Sequence, residues 1–229
     1  MSAGLTLYYA NGSIPSWRVL LALHEKRIAF TPRRLRLMGA VRETRSPEFL
    51  AINPRGQTPV LVDGDSTTIH ESFAILHYLE VRHGDAPLLP TDPRGLARAL
   101  SRAHEAETFA CAYAPLEQLF IGAPSTAPLR ELLAAALTAV DAELTLWEAR
   151  AAEAQFIAGE AFTLADCCFY PTLAYMLRRG LSLAAHPRLE AYRQRVQARP
   201  AAVASHPEGW QHDRVSKPNL FAAARAAVR

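Results

Sequence analysis

Apolar residues are spaced differently in the two parts of this 229-residue chain. In the first part, short apolar runs are separated by turn residues such as Asn11-Gly12-Ser13 and Asp63-Gly64-Asp65, which is typical of strands that alternate with helices. The order is strand, helix, strand, and then helix, strand, strand, helix. The predicted elements are strand 5–9, a helix around 17–23, a strand within 27–36, a helix that begins at 46–48, strands 58–62 and 67–69, and helix 71–83.

From residue 94 onwards the apolar positions recur at helical spacing. The chain contains 42 alanines, 34 of them after residue 91, and alanine is the strongest helix former. The Pro-rich stretch 86–93 is typical of a linker. The predicted helices are 94–121, 128–154, 163–179 and 186–199. The predicted domains are an α/β domain at 1–84, a linker at 85–93, a helical domain at 94–205 and a tail at 206–229.

Composition excludes several classes of function. The net charge is only +3 and acidic residues interrupt the basic runs, so no nucleic-acid partner is expected. No apolar segment reaches the roughly 18 residues of a membrane span, and no export signal is visible. The three cysteines form no CxxC pair and the histidines show no ligand spacing, so neither dithiol chemistry nor a metal site is predicted. A cytoplasmic location is expected.

Three motifs are informative through their order and spacing. Residues 53–61 read Asn-Pro-Arg-Gly-Gln-Thr-Pro-Val-Leu, residues 71–75 read Glu-Ser-Phe-Ala-Ile, and residues 163–166 read Thr-Leu-Ala-Asp. The last of these is a capping box, which is a structural feature of a helix start. Together with the element order, the motifs resemble those of the cytosolic glutathione transferase superfamily over roughly residues 5–200.

Within this superfamily the chain is most similar to the zeta class of serine-type enzymes. Ser13, Ser16 and the Trp-Arg-Val that follows fit the class pattern Ser-x-x-Ser-Trp-Arg-Val. In the second domain, Pro171 and Arg178 also fit the spacing of the class. One departure is that Ile14-Pro15 stands where zeta enzymes carry Ser-Cys, which weakens the case for their isomerase chemistry.

The resemblance implies a thioredoxin-like α/β domain of order βαβαββα, followed by an all-α helical bundle. It implies a transferase that ionises the glutathione thiol and conjugates it to a small electrophile, as a homodimer and without a metal. Two alternatives stay open. One is a glutathione-dependent isomerase of maleylacetoacetate or maleylpyruvate type, and the other is a non-catalytic binding module with the same fold.

The catalytic residue that the resemblance implies is Ser13, in the turn between the first strand and the first helix. A free thiol has a pKa of about 8.5 and is mostly protonated at neutral pH. A hydroxyl donor at a helix N-terminus would stabilise the thiolate. The alternative is that Ser13 only caps the helix. Tyr8 and Tyr9 are rival hydroxyls, because some classes of the family use a tyrosine at the end of this strand.

The implied glutathione contacts lie in two short segments. Gln57 meets the glycyl or cysteinyl part, and a cis peptide at Thr58–Pro59 turns the Thr58 backbone towards the cysteinyl unit. Glu71 suits the γ-glutamyl ammonium group, and Ser72, at a helix N-terminus, suits its carboxylate. Further candidates, for the glycyl carboxylate, are Arg42, Arg45 and Arg55.

The electrophile is expected to contact the second domain through Tyr113 and Arg178, with Phe109 and Ala114 as neighbours. Arg178 would meet a carboxylate on the substrate, although a surface pair with Arg179 is an equally good interpretation. A phenylalanine and a tyrosine at helical spacing are also typical of a core.

Overall fold

The computed structural model describes residues 4–39, 41–64, 67–122, 124, 126–210 and 214–229. The chain forms two compact units. The first consists of Met1–Leu89 and Ala198–Gly209, and the second of Pro90–Gln197 and Trp210–Arg229. No helix in the described residues is both long enough and apolar enough to cross a membrane.

The first unit contains a four-stranded sheet with the strand order β2-β1-β3-β4. β1 and β2 are parallel, and the other two pairs are antiparallel. Helices separate β1 from β2 and β2 from β3, and a further helix follows β4, so the predicted order βαβαββα is confirmed. The elements are β1 (Leu5–Tyr9), α1 (Ile14–Glu25), β2 (Phe30–Arg34), α2 (Pro47–Ile52), β3 (Val60–Asp63), β4 (Thr67–His70) and α3 (Ser72–Arg82). The predicted turn Asp63-Gly64-Asp65 follows β3, and its last residue, Asp65, lies outside the described residues.

The two faces of β1 pack against different helices, as the two-residue period of a strand requires. On one face, Leu5, Leu7 and Tyr9 join a core supplied by α1, β3 and α3. On the other face, the ring of Tyr8 lies 5.8 Å from the ring of Phe49 in α2. The buried residues contributed by α1, β3 and α3 are Val19, Leu23, Leu61, Ile75 and Leu79.

The second unit is helical, which confirms the predicted fold class. Its first four helices are α4 (Pro93–Tyr113), α5 (Ala127–Ala151), α6 (Leu164–Arg178) and α7 (Pro187–Gln197). The predicted helix 94–121 ends at Tyr113 and continues as a 3₁₀ turn over Ala114–Leu119, because Pro115 lacks the N–H that an α-helix needs. The rings of Trp147 and Phe169 stack at 4.1 Å in the core of this unit.

The predicted capping box opens α6. Thr163 accepts a hydrogen bond from the Ala165 N–H, and the buried Asp166 carboxylate accepts one from the Thr163 N–H at 2.7 Å. Asp166 also accepts the Ile157 N–H at 3.0 Å, so it joins the preceding loop to the helix. These residues have a structural role, as the sequence predicts.

Two short helices follow that the sequence patterns did not predict. α8 (Pro200–Ala204) packs on α1 within the first unit, and α9 (Leu220–Ala227) belongs to the second unit. The segment after α7 joins the first unit because Arg199 pairs with Glu25 at 2.6 Å and Trp17 donates to Ser205 at 3.3 Å. The predicted helical domain, by contrast, extended to residue 205.

Candidate functional site

Three segments that the sequence singled out meet at one edge of the sheet. Tyr8 near the end of β1 pairs with Val60 at the start of β3, which pairs with His70 at the end of β4. This register brings together the residues that follow β1, precede β3 and follow β4. We call this the site edge, and its residues are Ser13, Thr58, Pro59, Glu71 and Ser72.

Ser13 occupies the N-cap position of α1 with an extended backbone. Its N–H donates to the Ala10 carbonyl at 3.2 Å, and its carbonyl accepts from the Trp17 N–H at 2.9 Å. The side chain is half-buried and makes no capping hydrogen bond. The helix therefore does not use the Ser13 hydroxyl, which remains able to donate to a ligand.

Ser16 links two parts of the site edge. Its side chain is fully buried. Its hydroxyl oxygen accepts the Ala10 N–H at 3.2 Å, and its O–H donates to Thr58 Oγ1 at 3.3 Å. A buried hydroxyl needs such partners, since an unsatisfied one costs on the order of 1–3 kcal/mol. Ser16 thus connects the end of β1 with the loop that precedes β3.

The loop before β3 is organised by Asn53. Its amide donates to the Gln57 carbonyl at 2.8 Å, and its side-chain oxygen accepts the Arg55 N–H at 3.1 Å. Gly56 has a φ of 62°, and a Cβ at this position would lie 2.6 Å from the Thr44 carbonyl oxygen, so only glycine fits. The loop leads into the Thr58–Pro59 peptide bond, which is cis as predicted.

Glu71 has a strained backbone at the start of α3. Its φ of 68° lies in the left-handed region, which is unfavourable for a residue with a Cβ and costs about 1–3 kcal/mol. The preceding residue is fixed because His70 Nε2 lies 2.9 Å from the Ile52 carbonyl oxygen. The Glu71 side chain is exposed and Ser72 is buried as the first helical residue. Strain of this kind is concentrated at ligand-binding sites.

The site edge combines two positive helix ends with one carboxylate. α1 and α3 both begin there, and each helix N-terminus carries a partial positive charge. Neither helix has an acidic residue in its first turn, and the one carboxylate of the site edge is that of Glu71, the N-cap residue of α3. Gln57 is exposed beside Thr58, on the same loop. Within the described part of the chain, no group of three or more His, Cys, Asp or Glu side chains could hold a metal ion.

Tyr113 lies in the second unit and is enclosed there. Only 2% of its surface is exposed, and its ring stacks with Phe221 at 5.7 Å. Its hydroxyl donates to Glu117 at 2.6 Å, and burial followed by this hydrogen bond raises the pKa of Tyr113 far above its ordinary value. This environment is that of a core residue, so it does not favour the predicted contact between Tyr113 and a substrate.

Arg178, also in the second unit, has a different environment from its neighbour Arg179. The Arg178 guanidinium lies 4.4 Å from the centre of the Trp210 ring and donates to the Arg214 carbonyl at 3.4 Å. Partial burial, followed by the charge of Arg179, lowers the pKa of Arg178. Arg179 is paired with Glu117 at 3.6 Å, whereas Arg178 has no such pair among the described acidic side chains.

Comparison with known proteins identifies the family. Residues 13–82 match the family described as glutathione S-transferase, N-terminal domain, and residues 108–200 match its C-terminal domain. Glutathione S-transferase A of Pleuronectes platessa is 32% identical over 214 residues, covering 92% of this chain and 94% of that protein. The chain belongs to the glutathione S-transferase family.

Three further proteins are similar over most of the chain. Maleylacetoacetate isomerase of Rattus norvegicus is 29% identical over 216 residues, covering 90% of this chain and 94% of that protein. A glutathione S-transferase from the Antarctic clam Laternula elliptica has a TM-score of 0.85 at 29% identity, over 97% of this chain and 100% of that one. A glutathione transferase homologue from Sulfitobacter, solved with bound glutathione, has a TM-score of 0.75 at 29% identity. The match covers 88% of this chain and 96% of that one.

Membership of the glutathione S-transferase family confirms the predicted fold and enzyme class. The chain is a transferase of a family whose co-substrate is glutathione. Ser16 is part of the Ser-x-x-Ser-Trp-Arg-Val pattern, but that pattern does not predict its contact with Thr58. A serine on the buried side of α1, next to Trp17, was the available signal, because a polar group in that position requires partners.

We expect Gly56→Ala to destabilise the fold by about 2–4 kcal/mol, because it combines a left-handed backbone with a contact too close to the Thr44 carbonyl. Urea denaturation measures this loss. Gly39→Ala is the matched control, since Gly39 also has a positive φ, of 96°, but has open space around its Cβ position. The control should lose only about 1 kcal/mol. Equal losses in the two variants would show that the packing of the loop against Thr44 is unimportant.

Proposed function

We propose that the site edge binds glutathione and that Ser13 stabilises its thiolate for addition to a small electrophile. The observation that carries this proposal is the Ser13 hydroxyl, which is not used as a helix cap although it lies at the N-terminus of α1. A donor in this position, together with the partial positive charge of the helix end, favours the ionised form of a thiol. Ser13 would act by stabilising charge and would form no covalent bond.

The energy that this role requires is modest. Lowering the thiol pKa by about two units, from about 8.5, corresponds to roughly 2.7 kcal/mol of preferential stabilisation of the thiolate. A hydrogen bond to a charged group contributes about 1.5–3 kcal/mol, and a helix N-terminus adds about 0.3–1 kcal/mol. One hydroxyl donor and one helix end are therefore sufficient.

The remaining site-edge residues and the adjacent Gln57 would hold the tripeptide. In this proposal Gln57 and the Thr58 backbone, beside Pro59, contact the cysteinyl and glycyl part. The Ser72 hydroxyl and the N–H groups at the N-terminus of α3 donate to the γ-glutamyl carboxylate, and Glu71 faces the ammonium group. The strained backbone of Glu71 and the absence of acidic residues in the first turn of α3 support this arrangement.

The rival hydroxyls are less well suited to the thiolate. The ring of Tyr8 packs against Phe49 on the α2 face of the sheet. Tyr9 points to the opposite face, packs against the core and lines a cavity beside Trp17 and Phe30. Both rings are thus used in packing, whereas the Ser13 side chain is not.

We further propose that the chain is a cytoplasmic homodimer, as is typical of the family. The described surface offers apolar side chains for an interface, and Val81 on α3 is 89% exposed. In this proposal the helical part of the chain selects the electrophile, as the predicted domain division implies. Arg178 is the better of the two predicted contacts, because the Tyr113 hydroxyl is occupied by Glu117.

We expect Ser13→Ala to lower turnover with a model aryl halide by about 10²-fold, the magnitude typical for removing one donor to a developing or resting anion. The variant should still bind glutathione, as measured by calorimetry. Its melting temperature should not change, because the Ser13 side chain makes no capping hydrogen bond.

Ser46→Ala is the matched control for this experiment. The Ser46 hydroxyl caps α2 by accepting the Phe49 N–H at 3.2 Å. Its loss should cost about 1 kcal/mol of stability and leave turnover unchanged. If Ser13→Ala behaves like Ser46→Ala, with reduced stability and normal turnover, Ser13 is only a cap and the proposed mechanism is wrong.

A second candidate function is glutathione-dependent isomerisation of a maleyl keto acid. One observation favours it: the Arg178 guanidinium stacks on Trp210 and makes no ion pair with a described acidic side chain, so it is suited to a substrate carboxylate. The similarity to the rat isomerase points in the same direction. Ile14-Pro15, in place of the Ser-Cys of zeta enzymes, is evidence against it.

For an isomerase, Arg178→Ala should raise the KM for a maleyl keto acid by at least about tenfold, because a charge-assisted pair is lost. Arg178→Lys should restore part of the affinity. Turnover with an uncharged aryl halide is the internal reference and should change little. The absence of any cis–trans isomerisation by the wild-type protein would reject this second candidate outright.

A further inference from the structure

The turn that carries Ser13 is held by a segment from the far end of the chain. We call residues 205–208, which belong to the first unit, the C-terminal strap. The Asn11 amide donates to the Glu208 carbonyl at 3.0 Å, and the Glu208 N–H donates to the Asn11 side-chain oxygen at 2.9 Å. A third bond, from Trp17 Nε1 to Ser205 Oγ at 3.3 Å, joins the strap to α1.

The pair of bonds between Asn11 and Glu208 has a specific geometry. One amide side chain satisfies both the N–H and the carbonyl of a single residue, as a neighbouring strand would. Asn11 therefore fixes both the position and the orientation of the strap relative to the turn. Alanine could make neither bond, and a charged aspartate could only accept.

The strap also contacts α1 by packing, because the ring of Trp17 lies 5.6 Å from the ring of His206, edge to face. A cavity of about 400 Å³ lies beside the turn and the strap, and Tyr9, Trp17 and Leu20 are among the residues that line it. Because side chains do not fill this cavity, the two Asn11 hydrogen bonds are an important part of what fixes the turn against the strap. Gly12, between Asn11 and Ser13, has a φ of 74° and adds no side chain to the contact.

We infer that Asn11 and the C-terminal strap position the Ser13 hydroxyl for thiolate stabilisation. This inference rests on the proposed function of Ser13. Asn11 is a positioning residue in this account: both polar atoms of its side chain are engaged by Glu208, so it acts on the thiolate through the turn. A displaced Ser13 would still lie near the sulfur but would donate a longer and weaker hydrogen bond.

The test is the pKa of the bound glutathione thiol, read from the ultraviolet absorbance of the thiolate as a function of pH. In Asn11→Ala this pKa should rise by about one unit relative to the wild type. At a pH below both values, kcat/KM should then fall about tenfold, whereas at high pH the two proteins should converge. A general loss of stability would not produce this dependence on pH, and thermal denaturation checks for it separately.

Arg34→Ala is the matched control. It removes the exposed ion pair between Arg34 and Glu208, 2.6 Å in length, and leaves both Asn11 bonds in place, so the thiol pKa should not change. An unshifted pKa in Asn11→Ala, or an equal shift in both variants, would overturn the inference and leave the role of Ser13 intact. A wild-type protein that does not lower the thiol pKa would overturn the proposed function and this inference together.

Discussion

The register of the central strands is the constraint on which the site depends. Because Tyr8, Val60 and His70 are neighbours across three strands, the turn after β1, the loop before β3 and the start of α3 must share one edge. If the pairing register of one strand shifted by one residue, every side chain of that strand would turn to the opposite face of the sheet. The buried Leu7 and Leu61, which meet across the same register, make such a shift very unfavourable.

The site edge combines several features that suit the binding of a charged ligand. Two helix N-termini provide positive charge, with the Glu71 carboxylate beside that of α3 and the Ser13 hydroxyl available beside that of α1. The buried Ser16 hydroxyl connects that helix to Thr58. At Glu71 the fold accepts backbone strain, which is stabilised by the surrounding structure. An anionic tripeptide with an ionisable thiol is the kind of ligand that these features suit.

Local sequence signals predicted much of the fold and of the candidate site. Turn residues, apolar spacing and the Thr58-Pro59 motif identified the element order and the segments of the site. The bonds between Asn11 and Glu208 were not predictable, because they join residues 197 positions apart and neither residue has an unusual local pattern. The sequence left open whether Tyr113 lies in a core or in a pocket, because helical spacing is the same for both, and packing against Phe221 distinguishes them.

The central claim is that glutathione binds at this edge with its sulfur next to Ser13. A crystal structure of the complex tests it most directly. The account predicts the sulfur within about 3.5 Å of Ser13 Oγ, the cysteinyl unit beside the Thr58 backbone and the γ-glutamyl carboxylate at the N-terminus of α3. A sulfur that lies instead against the hydroxyl of Tyr8 or Tyr9, or a tripeptide bound away from α3, would contradict it.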